Sequence, residues 1–203
     1  MPLLNFKNRT ILFIHIPKTG GTSLVNWFLT FGEIKLYNTA IPSFMKVTPQ
    51  HLTFHDVTKI LGYHKFDLCF AVIRNPYARL ESEYYFRTEN QLKRYGKRPD
   101  FSNWMLDKLA GYNKNKYVLD SHFRPQTHFL NMSVKLFKFE DGLNIIQKEI
   151  VELIDLESFE SLPFSNKSME KKDLHWSSEL RSEVNEIYKN DFSIFSYPII
   201  NPF

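Results

Sequence analysis

The chain of 203 residues contains one cysteine, Cys69, which excludes an intramolecular disulfide framework and a cysteine-rich metal site. Cys69 lies in an apolar run and reads as a small buried hydrophobe. Glycine is scarce, at seven residues, and no internal repeat is present, so collagenous and repeat architectures are excluded. No stretch approaches the ~20 apolar residues of a membrane span. The N-terminal MPLLNFKNRT lacks the apolar core of a signal peptide, and the expectation is a soluble, cytoplasmic protein. Charge of one sign is not abundant either: 26 Lys and Arg against 22 Asp and Glu leave +4. That excess suits a small anionic ligand and falls short of the dense basic stripe that nucleic acid requires. Apolar matter is plentiful, with 43% hydrophobic and 16% aromatic residues. It is enough for a single domain over 1–203 that buries roughly 70% of its unfolded surface without a staple.

Periodicity gives alternating strands and helices. Thr10 to Ile16 is a buried strand, followed by a helix carrying Leu24, Trp27 and Phe28 at helical spacing, with Gly32 as its C-terminal cap. Ile34 to Tyr37 is a second strand. Thr53, with Asp56 three residues on, caps a helix stapled by Leu52 and Val57. Leu68 to Ile73 is a central strand, and Asn75-Pro76 opens the next helix. Asp100 caps a helix bearing Phe101, Trp104, Met105 and Leu109, after which Tyr112 to Arg124 reads as a polar loop. Val134 to Phe139 is a strand. Leu143, Ile146, Ile150 and Leu153 mark a helix, Phe164 to Asp173 a polar loop, and Leu180, Val184 and Ile187 a last helix. This order predicts an α/β fold, a mostly parallel central sheet flanked by helices.

Two motifs carry chemistry. The first, Pro17-Lys18-Thr19-Gly20-Gly21-Thr22-Ser23, joins a strand to a helix. Adjacent glycines let the backbone wrap a ligand, and the helix start offers free N–H groups and a positive dipole end. Lys18 adds a full charge, and three hydroxyls add donors. Together they make a phosphate-type anion site. The alternative is a tight turn with a surface lysine. The loop differs from the kinase and GTPase P-loop, where Lys follows the last glycine; here it precedes both. The second motif, Arg74-Asn75-Pro76-Tyr77-Ala78-Arg79-Leu80-Glu81-Ser82-Glu83-Tyr84, runs from the central strand into a helix. Arg74 sits at a strand's carboxyl end, where α/β sheets bind ligands, and Arg is the best bidentate phosphate partner. Ser82 lies two turns into the helix. Arg79 is expected to pair with a carboxylate, Glu83 at i+4.

The pair IHIPKTGGTSL and FAVIRNPYARLESEYYF resembles the sulfotransferases that use PAPS, 3′-phosphoadenosine 5′-phosphosulfate. It is most similar to their carbohydrate branch, which includes heparan-sulfate 2-O and chondroitin sulfotransferases and bacterial relatives. LFKFEDG (Leu136 to Gly142) and EIYKNDFSIFSY (Glu186 to Tyr197) extend the resemblance over most of the chain from about Thr10. The resemblance implies a P-loop-like sulfotransferase fold in which Pro17 to Ser23 hold the 5′-phosphosulfate and Arg74 and Ser82 the 3′-phosphate. It implies in-line transfer of a sulfuryl group from PAPS to an acceptor hydroxyl, on a glycan, leaving PAP. Charge builds on the leaving phosphate oxygen, where Lys18 and the loop N–H groups would stabilise it. No metal is expected to be needed. The absence of a membrane anchor resembles a bacterial member, or an excised catalytic domain.

The acceptor must lose a proton, so a base is wanted. Gln50-His51-Leu52-Thr53-Phe54 resembles the segment bearing the base histidine of heparan-sulfate 2-O-sulfotransferase, which implies His51. His122 in SHFRPQTHFL, a segment also seen in relatives, His55 and the carboxylate Glu81 are the alternatives. His15 is expected to be a core residue, and His64, His128 and His175 structural or solvent-facing. The basic stretch Arg87, Lys93, Arg94, Lys97 and Arg98 reads as a solvated helix end, with an acceptor surface for an anionic glycan as the alternative. The sequons at Asn8, Asn131 and Asn166 carry no weight in a cytoplasmic protein. Two other functions stay open: a P-loop-like nucleotide kinase or phosphotransferase, and a PAP-binding module that does not catalyse. Lipid, peptide tyrosine and small metabolites stay open as acceptors.

Overall fold

A computed structural model describes residues 1–37, 40–62, 65–157 and 174–201. His64, the Asn166 sequon and the loop read at Phe164 to Asp173 lie outside them. The described residues fall into two compact units, one drawn from Met1–Arg74 and His128–Lys167, the other from Asn75–Thr127 and Ser168–Phe203.

Unit 1 holds the sheet. Its strands are β1 (Leu3–Phe6), β2 (Arg9–Ile14), β3 (Glu33–Lys35), β4 (Leu68–Ile73) and β5 (Lys135–Lys138), in the order β3-β1-β2-β4-β5. β2, β4 and β5 pair in parallel, and β1 pairs antiparallel with both β2 and β3. Four strands therefore run one way and one the other: the sheet is mixed, mostly but not purely parallel. β1 is the strand that sequence periodicity does not show. Four residues are too few to display alternation, and Phe6 pairs with Arg9 across a tight Lys7-Asn8 turn in which Lys7 has φ 49°.

Helices α1 (Gly21–Phe28) and α6 (Leu143–Ile154) cover one face of this sheet. Phe13 and Phe70 stack at 4.8 Å between neighbouring parallel strands, with Leu24, Trp27 and Phe28 from α1 and Ile146, Ile150 and Ile154 from α6 packed in the same core. Ile154, rather than Leu153, completes the α6 stripe; Leu153 is exposed. Gly32 is not the cap of α1, which ends at Phe28 with Leu29 as C-cap. It permits a close approach instead, since a Cβ there would lie 2.4 Å from Leu4 Cδ1. Helix α2 (Phe54–Leu61) opens with the expected capping box, Thr53 and Asp56 each accepting from the other's backbone N–H. Cys69 is half-buried rather than buried at the start of β4, and partial burial still pushes its thiol up to about 12.

Unit 2 is helical: α3 (Pro76–Tyr95), α4 (Phe101–Lys114), the short turn α5 (Val118–Ser121), α7 (Ser178–Ile187) and α8 (Lys189–Ile194). Asn75 and Asp100 cap α3 and α4 through side-chain oxygens, as the sequence predicts. The expected loop from Tyr112 is instead the last turn of α4 running into α5. Among the described residues no helix is long and apolar enough to cross a membrane.

Candidate active site

In unit 1 the parallel pairing of β2 with β4, and of β4 with β5, brings three strand ends to one edge. Ile14 is opposite Ala71 and Ile73 opposite Lys138, so the loop after Ile14, Arg74, and Phe139 emerge side by side.

The loop is shaped by backbone geometry. Thr19, fully buried, donates its hydroxyl to the Ile16 carbonyl at 2.9 Å. Lys18 has φ 69°, a left-handed conformation rare outside glycine. Gly20 has φ 86° and packs so closely that a Cβ would lie 3.0 Å from both Phe139 Cε2 and Leu143 Cδ2. Helix α1 then starts at Gly21 with no side-chain cap. Its first backbone bonds run from the Ser23 and Leu24 N–H groups to Gly20 O, so helix geometry leaves the N–H groups of Gly21 and Thr22 without an intrahelical acceptor. Pro17 and Ser23 are buried, Lys18 half-buried and Thr22 exposed.

Arg74 closes the loop. Its Nη1 donates to the Lys18 carbonyl at 3.1 Å, and its guanidinium lies 4.4 Å over the Phe139 ring. One aromatic ring thus supports both the arginine and the glycine of the loop. Behind the loop, His15 is buried and stacked on Phe13 at 5.6 Å. Its imidazole abuts Gly21, where a Cβ would lie 2.0 Å from the ring. His51 stands edge-on to His15, ring centroids 5.2 Å apart. It is 4% exposed, on the 3-10 turn Pro49–His51, with Thr48 Oγ1 at 3.4 Å from Nδ1. Lys18, Arg74 and His51 are therefore gathered in one unit. His55 is exposed on α2.

The remaining sequence candidates belong to unit 2. Ser82 is half-buried on α3, and Glu81 accepts from Trp176 Nε1 at 3.0 Å. Arg79 does not pair with Glu83. It is buried and donates to the carbonyls of His122, at 3.1 Å, and Arg124, at 2.8 Å. Glu83 is held instead by Arg87 and His122. The basic stretch is not simply solvated either. Arg87 binds Glu83 and the Leu119 carbonyl, and Arg98 binds Glu89, Thr88 Oγ1 and the Tyr85 carbonyl. His175 is exposed, as is His128 in unit 1. Sequence reading places Phe139 only at a strand end, Glu83 only as a partner for Arg79, and His15 only as core. A contact across three parallel strand ends leaves its signal in strand register, which one sequence does not contain.

A model of the sulfotransferase family matches residues 3–198, and the chain belongs to that family. Membership makes it a transferase of sulfuryl groups acting on an acceptor substrate. No curated protein and no solved structure matches the chain.

Proposed function

We propose that the protein transfers a sulfuryl group from PAPS to a hydroxyl of a carbohydrate, within one domain spanning 1–203. The observation that carries the reading is the loop itself: a left-handed Lys18, an uncapped α1 start, and Arg74 bonded to the Lys18 carbonyl. Main-chain donors, a helix dipole and Lys18 fit a phosphosulfate, and the Arg74 guanidinium beside them suits a second phosphate. Pro17 to Ser23 hold the 5′-phosphosulfate. Arg74 and, by family resemblance, Ser82 hold the 3′-phosphate. The acceptor oxygen attacks sulfur, and the bond from sulfur to the 5′-phosphate oxygen breaks as the new S–O bond forms. The acceptor proton passes to His51. PAP leaves with the electron pair on its phosphate oxygen, where Lys18 and the α1 N–H groups stabilise it. Carbohydrate as acceptor is supported by the branch that the two motifs resemble.

Calorimetry with PAP and AMP tests the assignment. Only PAP fills both phosphate positions, so it should bind far more tightly. Equal affinities would remove Arg74 and Ser82 from the site.

A further inference from the structure

One charged feature of unit 2 has no part in the proposed transfer: the turn at residues 93–98, which ends α3. It holds four cations, Lys93, Arg94, Lys97 and Arg98, and no acid, a charge equal to the +4 excess of the whole chain. The turn is fixed in place. Gly96, at φ 69°, closes α3 in a left-handed cap, its N–H donating to the Leu92 carbonyl at 2.8 Å. Arg98 folds back onto the helix. It donates to the Tyr85 carbonyl at 3.0 Å, to Thr88 Oγ1 at 2.7 Å and to Glu89 at 2.7 Å. Tyr84 donates its hydroxyl to the Pro99 carbonyl at 2.6 Å.

These bonds decide which charges face outward. The two acids nearest in sequence are engaged. Glu89 is bound by Arg98 at 2.7 Å and shared with Lys93 at 3.6 Å, and Asp100 accepts from the Asn103 N–H as the cap of α4. Arg94 and Lys97 are exposed and have no acidic partner among the described residues. Between them Tyr95 is 62% exposed, with the Arg94 guanidinium 5.3 Å over its ring. A helix C-terminus favours cations, which accounts for Lys93 and Arg94 in the last turn of α3. It does not account for Lys97 beyond the helix, nor for an aromatic ring left in water between cations. Uncompensated charge beside an exposed ring is the make-up of a surface for an anionic ligand with a stackable face.

We propose that the turn at residues 93–98 is an interaction surface for a sulfated carbohydrate, with Arg94 and Lys97 on the sulfate oxygens and Tyr95 under the sugar ring. The planar fork of arginine matches a tetrahedral oxyanion, and lysine adds a point charge. One face of a pyranose ring is built of C–H bonds and stacks on an aromatic ring. A sulfated sugar carries both groups in one residue. Single-stranded nucleic acid also offers charge and rings, but it follows a longer positive groove, and outside this turn the cations and acids of the chain balance. A sulfuryl transferase that acts on a glycan makes this ligand itself, since each turnover leaves a sulfate on the sugar chain. The choice of ligand rests on the sulfotransferase reading, whereas the surface belongs to unit 2 alone.

The test is calorimetry on the full chain at about 50 mM salt, where charge is weakly screened. The probes are a chondroitin 4-sulfate hexasaccharide, the same hexasaccharide without sulfate, and a short oligothymidylate. Three variants are compared: Arg94→Gln with Lys97→Gln, Tyr95→Ala alone, and Lys59→Gln with Lys148→Gln. The last removes equal charge from exposed positions on α2 and α6. The sulfated sugar should bind about tenfold or more tightly than the unsulfated one. That preference should vanish in the Arg94 and Lys97 pair, and Tyr95→Ala should weaken the sulfated sugar by about threefold or more. The Lys59 and Lys148 pair should stay within about twofold of wild type, and melting temperatures should not move. Equal losses in the two charge pairs would reduce the effect to net charge and overturn the proposal. Equal affinity for both sugars, or no binding of the sulfated one below about 1 mM, would overturn it too. Tighter binding of the oligothymidylate through the same residues would make the turn a nucleic-acid surface and overturn it as well. PAP is titrated on the same preparations. Sugar binding that depends on the turn, in a protein that does not bind PAP, upholds the surface and sinks the sulfotransferase reading. PAP binding without sugar binding overturns the surface and leaves that reading standing.

Discussion

Gly21 and Gly111 look alike in a composition table and differ in what surrounds them. A Cβ at Gly21 would enter the His15 imidazole, whereas one at Gly111 in α4 meets only Val118 Cγ2 at 3.8 Å. Gly21→Ala should therefore destabilise by about 1–3 kcal/mol through forced displacement of His15. Gly111→Ala should stabilise by about 0.4–1 kcal/mol, because alanine restricts the unfolded chain. Urea denaturation of both variants decides this, and equal effects would mean that His15 has room to yield. His51 is the residue on which the proposed chemistry turns. His51→Ala should leave PAP affinity nearly unchanged and lower single-turnover rate by roughly 10²-fold or more. A variant that melts earlier yet keeps its rate would make His51 a packing residue of the Pro49–His51 turn. Lys18→Ala should lower turnover far more than PAP affinity, since its charge counts most as the phosphate oxygen leaves. A rise in KM alone would reduce Lys18 to a binding residue.

Helix α3 carries the second motif from Pro76 onward, Glu83 included. Its start was legible, because Asn75 and Pro76 are a local cap signal that needs no partner. Its buried face was half legible. Leu80 and Tyr84 follow helical spacing, but Arg79 and Glu83 are equally buried, and their partners come from a segment some forty residues away. The pairing produces a pH dependence whose sign follows from linkage. The Glu83 carboxyl lies near 4.5 when unpaired and at about 2 in the folded chain, so the unfolded form binds the proton more readily between those values. Its contribution to stability is complete above about 4.5 and is lost as pH falls toward about 2. Denaturation midpoints measured from pH 6 downward should fall more steeply for wild type than for Glu83→Gln. Parallel curves would show that Glu83 is not held ionised. Elsewhere among the elements, the Thr53 capping box, the Asn75 and Asp100 caps and the long apolar runs are legible in the sequence. β1 and the left-handed turn α5 are not, since both depend on pairing with distant chain.

For the molecule as a whole, the loop sequence places Lys18 ahead of its glycines and so lacks the lysine that a P-loop phosphotransferase sets beside its magnesium-binding hydroxyl. Sulfate transfer should accordingly survive EDTA, and full loss restored by Mg²⁺ would return the phosphotransferase reading. The family, the strand-loop-helix form of the anion site and the identities of Lys18, Arg74 and His51 as candidates all follow from contiguous residues, whose chemistry is local. Strand order, the reversal of β1, the aromatic support of Phe139 beneath Arg74 and the Glu83 to His122 bond follow from none of them. These depend on which backbone groups satisfy one another across the sheet and on which distant side chains fill one core, and only the folded chain decides that.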